Sequence, residues 1–208
     1  QFMLSMNLSD NYNHITAVLT TYYSPYISHM KIPWRTQFLF WWYTLLRRKY
    51  NHEHVIKIGK KGRGASKILF LLPAEKEHAQ IASHFVKRDF VDEALQVQYA
   101  VHQDGIQYYP DQLKPYIISF SNDDMNWLGA IVSESVLDRI KSIQYDAMVD
   151  LNQSDEQTLS LLSLELDIPV KIGFQSSLSD KLYTLVIQRS TTGFLETNYE
   201  TIERILGL

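Results

Sequence analysis

Residues 67–73 read KILFLLP, five consecutive apolar side chains closed by a proline. A strand with one wet face alternates apolar and polar residues. An uninterrupted run fits a strand covered on both faces, as in parallel sheets flanked by helices. Further strands are expected at 97–102, 116–121, 145–151, 170–174 and 181–188, with a short one at 127–132 and a turn over 105–110. Helical spacing predicts helices over 75–95 and 134–143, one from Ser154 that buries Leu159, Leu162 and Leu166, and a last one carrying Leu195, Tyr199, Ile202 and Leu206. Ser154 and Gln157 have capping-box spacing. Strands alternating with helices imply an α/β fold: a single doubly wound, mostly parallel, Rossmann-like sheet over 67–208. Residues 1–66 are then an N-terminal extension, and 1–30 show no secretory signal pattern.

That extension carries the main charge asymmetry. Between positions 31 and 67, ten basic residues (Lys31, Arg35, Arg47, Arg48, Lys49, Lys57, Lys60, Lys61, Arg63, Lys67) stand against one acid, Glu53. The stretch is therefore +9, and the rest of the chain sums to -12. A basic arm on an acidic body is expected to meet an anionic surface. Residues 34–50 read WRTQFLFWWYTLLRRKY, where Phe38, Trp41, Trp42, Leu45 and Leu46 follow helical spacing. Pro33 stands near the first turn, and Arg47, Arg48 and Lys49 suit the negative end of the dipole. The apolar run is far shorter than the ~20 residues of a membrane span. Residues 51–66 end in GKKGRGAS and are expected to form a flexible basic linker.

Patterns for known chemistries fail one by one. Gly59 and Gly64 have P-loop spacing, but Ala65 takes the lysine position and the stretch precedes the first strand. The turn after that strand, Pro73-Ala74-Glu75-Lys76, lacks the glycine that lets a backbone approach a pyrophosphate. His52 and His54 flank Glu53 at a separation that points them apart, and His78 and His84 miss the i, i+4 spacing of a helical metal pair. No cofactor or metal is expected. There is no cysteine, which excludes disulfides, thiolate metal sites and a cysteine nucleophile, and fits a cytoplasmic setting. No serine has a base and an orienting acid at motif spacing. Asp123 and Asp124 follow the 116–121 strand, and Asp150 and Asn152 end the 145–151 strand, on the edge where open α/β sheets bind ligands. Turn and cap chemistry is the more ordinary account of these residues.

YDAMVDLN (145–152), a leucine-rich helix and VKIGF (170–174) resemble the N-terminal half of family-nine glycosyltransferases, the heptosyltransferase type. Asn126-Trp127-Leu128-Gly129, Tyr145-Asp146, VKIGF and the acidic C-terminal helix resemble more closely a bacterial family of unknown function with a basic N-terminal helix. The glycosyltransferase likeness implies half of a GT-B fold. Those enzymes carry a Gly-Asp pair after the first strand, the Asp serving as base, where this chain has Ala74-Glu75. They also hold the sugar nucleotide in a second domain of similar size, so catalysis by this polypeptide alone is not expected.

The expected function is therefore a non-catalytic interaction or scaffold module. It would dock to a protein assembly or to the inner face of a membrane through Trp34, Phe38, Trp41, Trp42, Tyr43, Arg47, Arg48, Lys49, Lys57, Lys60, Lys61 and Arg63. One alternative is a glycosyltransferase-like subunit that binds a sugar nucleotide near Glu75, Asp150 and Asn152. Another is an RNA-binding accessory protein whose basic tract follows phosphates.

Overall fold

The computed structural model describes residues 34–35, 37–38, 41–42, 64–86, 95–153, 159–188 and 195–208. Among the described residues six strands form one sheet: β1 (Lys67–Leu71), β2 (Gln96–His102), β3 (Ile117–Phe120), β4 (Ala147–Asp150), β5 (Val170–Phe174) and β6 (Leu185–Ile187). Their order is β3-β2-β1-β4-β5-β6 and every pairing is parallel. The sheet expected to be mostly parallel is wholly so among the described strands. The chain builds outward from β1 to one edge, returns, and builds from β4 to the other, so the strand order reverses between β1 and β4.

The apolar run of β1 sits at the centre of the sheet. Ile68 to Leu72 are buried, and alternate side chains serve opposite faces. Ile68, Phe70 and Leu72 join a cluster with α1 (Lys76–Val86) and α5 (Leu195–Leu206). Leu69 and Leu71 join one with α2 (Glu134–Lys141), α3 (Leu162–Glu165) and β3. Helices on both faces are what make a central strand apolar throughout. A short α4 (Ser179–Leu182) leads into β6. Among the described residues no helix is long and apolar enough to cross a membrane.

Three expected elements differ. Residues 127–132 form no strand but a turn closed by a single antiparallel bridge between Met125 and Ile131. The β-branched residues there sit at the base of a tight turn, which leaves no length for a ladder. The expected strand 181–188 is α4 followed by a three-residue β6, because Ser179 and Tyr183 close a helical turn first. The 105–110 turn is the end of a 3-10 segment, Gln103–Tyr108. The last part of the helix expected over 75–95 and the Ser154–Gln157 capping box lie outside the described residues. Leu159, Leu162 and Leu166 are buried as expected.

Gly64, Ala65 and Ser66 lead into β1, at the end of the stretch read as a free linker. Ala65 N donates to Leu206 O at 3.1 Å, tying the entry of β1 to the end of α5. Asp146 accepts Ser66 N (2.9 Å), Ser66 Oγ (2.7 Å) and Lys67 N (3.0 Å), which joins the starts of β1 and β4. Partial burial pushes the Asp146 pKa up, but the Ser66 and Lys67 hydrogen bonds outweigh it and hold the carboxyl below its usual range.

Candidate functional site

The reversal of strand order between β1 and β4 is where a doubly wound sheet opens a ligand crevice. Here the two strands stay bonded past their ends: Leu151 N donates to Leu71 O at 3.0 Å, and Asn152 Nδ2 reaches the same carbonyl at 3.5 Å. The turn after β1 is covered by the 3-10 segment after β2. A side chain at Gly105 would stand 2.6 Å from Ala74 Cα, so only glycine permits that approach. Tyr109 Oη donates to Pro73 O at 2.7 Å and pins the cover down.

The three carboxylate-edge candidates do not converge on an open pocket. Asp150 is fully buried. Its Oδ1 accepts Asn152 N at 2.9 Å and Asn152 Nδ2 at 2.7 Å, and its Oδ2 accepts Tyr183 Oη at 2.6 Å. Ser160 adds a fourth hydrogen bond. Burial raises the Asp150 pKa, and these four donors act against the rise. Tyr183 is raised too, by burial and then by the Asp150 charge. Its ring fits only because Gly173 has no side chain, since a Cβ there would lie 2.4 Å from the ring. Asp150 thus ties the end of β4 to the loop before β6, and Asn152 is spent orienting it. Glu75, by contrast, is exposed. His78 Nδ1 lies 2.9 Å from its Oε2 without hydrogen-bond alignment, so this is an ion pair only when the imidazole is protonated.

Asp124 is likewise a cap, accepting Ser121 N at 2.8 Å and Ser121 Oγ at 3.0 Å. Its carboxyl is held below the usual range, first by the Ser121 backbone bond. Asp123 is exposed in the same turn. Among the described residues no three His, Asp or Glu side chains converge in metal-ligating geometry.

The aromatic half of the predicted arm lies elsewhere. Trp34, Arg35, Gln37, Phe38, Trp41 and Trp42 are helical, and all are exposed. Trp34 is 63%, Trp41 57%, Trp42 47% and Phe38 44% exposed. Phe38 packs 6.0 Å from Trp41 and 6.5 Å from Trp42 between ring centroids. The Arg35 guanidinium sits 5.9 Å from the Trp34 ring centre. Trp34 also meets Trp127 of the turn after β3, centroid to centroid 6.1 Å, and Trp127 is 66% exposed. All four tryptophans of the chain therefore lie on the surface, none in the core. Tyr43, Arg47, Arg48, Lys49, Lys57, Lys60, Lys61 and Arg63 lie outside the described residues.

A profile of DUF6913, described as a family of unknown function, matches residues 47–205. The chain belongs to that family. The DUF6913 match begins at Arg47, so it takes in part of the basic stretch as well as the whole sheet. No curated protein and no solved structure matches the chain.

Two contributors escaped the sequence reading. Tyr183 lies far from Asp150 in sequence, and no spacing rule links them. Trp127 did carry a signal, a tryptophan between Asn126 and Gly129 in a stretch read as a strand.

Proposed function

We propose that this DUF6913 chain is a non-catalytic α/β interaction module that docks through its basic, aromatic N-terminal arm. The observation that carries this reading is the exposure of every tryptophan, three of them on a helix inside a stretch of sequence that carries +9. Indole rings left in water are costly, and patches of this kind mark interaction sites. The sheet edge supports the non-catalytic half of the reading. Asp150 and Asn152 are occupied by internal hydrogen bonds, and the turn after β1 is covered.

If the cluster serves docking rather than packing, Trp41→Ser combined with Trp42→Ser leaves the melting temperature within about 2 °C of the parent, as for surface substitutions. A drop above about 10 °C would mean that the rings pack on the chain's own domain, and the docking reading would fail.

The strand order favours one further reading, a glycosyltransferase-like subunit that holds a sugar nucleotide. A ligand at a hundredfold excess over its Kd stabilises by about 2.7 kcal/mol. A thermal-shift panel of sugar nucleotides is expected to show no shift, and a shift abolished by Glu75→Ala would restore the enzyme.

A further inference from the structure

Trp127 stands on a turn whose backbone and side-chain bonds fix it from both ends. Asn126 Oδ1 accepts Leu128 N and Ala130 N, both at 3.0 Å. Asn126 N donates to Ala130 O, and Gly129 N to Asn126 O, each at 2.9 Å. Gly129 has φ +86°, a conformation that L side chains rarely adopt. Below the tip, Asp124 O accepts Val132 N (2.9 Å) and Ser133 N (3.2 Å), while Ala130 and Ile131 are buried in the body. The turn is therefore ordered before any partner arrives, and its tip exposes a tryptophan. An anchor held rigidly in the free protein loses little conformational freedom on binding.

We infer that Trp127 and the arm helix with Trp34, Phe38, Trp41 and Trp42 form one bipartite docking face, and that its occupant is the headgroup zone of an anionic bilayer. This deepens the docking reading above and rests on it. Three observations select the lipid surface. Segment 31–67, which bears the arm's exposed rings, carries +9 along the sequence and the rest of the chain -12, so an anionic plane attracts that segment of the chain. The exposed anchors are mainly indoles, which suit headgroup depth, where one side of a ring is wet and the other apolar. The rings are also partly occupied by one another: Trp34 has Arg35 over its ring and Trp127 tilted 47° beside it, and Phe38 and Trp41 are tilted 37°. Base stacking on single strands requires free ring faces.

The test is flotation of the full chain with phosphatidylcholine vesicles, with and without roughly a third phosphatidylglycerol, at low and high salt. Binding is expected to the anionic vesicles alone and to weaken with salt. Trp127→Ala, which changes no charge, is expected to weaken it by roughly tenfold while melting as the parent does. Tyr116→Ala, removing an exposed aromatic outside the face, is expected to change nothing.

Failure to float at low salt overturns the lipid occupant. An unchanged melting temperature in the Trp41/Trp42 double variant would then leave the docking reading standing. Trp127→Ala floating as the parent does removes the turn from the face. A single-stranded RNA oligonucleotide that binds the chain and strips it from vesicles assigns the face to nucleic acid instead.

Discussion

Asp150→Ala is expected to destabilise the domain by about 3 to 5 kcal/mol, because it removes the shared acceptor of a buried network and leaves its donors behind. Tyr183 Oη, Asn152 Nδ2 and the Ser160 hydroxyl would all lose their bond to the carboxylate inside the protein. Adding Tyr183→Phe removes one orphan, so the double variant is expected to be destabilised by about 1 to 2 kcal/mol less than the sum of the single effects. Urea unfolding of the four proteins measures this. Simple additivity would show that the network is not a unit.

The pH dependence separates the two staples. The Asp150 pKa is raised, so the folded state holds its proton longer than the unfolded one. Its contribution is therefore greatest below the ordinary carboxylate range and declines as pH rises through the raised value. Asp146 has the opposite sign. Its lowered pKa gives a contribution present above the ordinary range and lost as pH falls through the lowered value. Asp150→Ala should flatten the upper part of the pH–stability curve, and Asp146→Asn the acid limb.

The strands were legible where local pattern and burial agree. Ile68 to Leu72 read as a two-sided core strand because they are one, and β2, β4 and β5 fall within a residue or two of their expected positions. Failure came where a hydrogen bond that the apolar pattern does not register decides. Residues 127–132 carry Leu128, Ile131 and Val132, which suit a strand, yet the Asn126 side chain captures the backbone amides of Leu128 and Ala130 and turns the chain. Leu185 to Ile187 are a strand, but Lys181 and Leu182 close α4. The site followed the same rule. Asp150 and Asn152 could be named from their position at a strand end. That position is shared by ligand-binding carboxylates and by internal staples, and only the spatial approach of Tyr183 and Ser160 tells them apart. The arm was readable as a helix from spacing, but its meeting with Trp127 is a tertiary contact that no window of sequence contains.

Phe70→Ala is the other substitution expected to cost about 3 to 5 kcal/mol, the range for deleting a buried aromatic ring. Phe70 is fully buried at the centre of β1. It stacks on Tyr99 of β2 at 5.8 Å and meets Phe85 of α1 edge-on at 5.9 Å. Phe85 in turn stacks on Tyr199 of α5 at 4.8 Å, and Tyr199 meets Phe174 of β5 at 6.3 Å. One face of the sheet is thus spanned by a continuous aromatic chain, and removing the Phe70 ring breaks it and leaves a cavity beneath α1. Such a loss lowers the melting temperature by roughly 10 to 15 °C in a domain of this size. Phe70→Leu, which keeps most of the volume, should cost only about 1 to 2 kcal/mol. A loss under about 1 kcal/mol in the alanine variant would show that the face collapses freely around the gap. Phe70 belongs to this core while the tryptophans stand outside it, so Phe70→Ala held well below its melting temperature should float with anionic vesicles as the parent does. Loss of flotation from the folded variant would mean that the docking face depends on the core beneath it and is not a surface feature of its own.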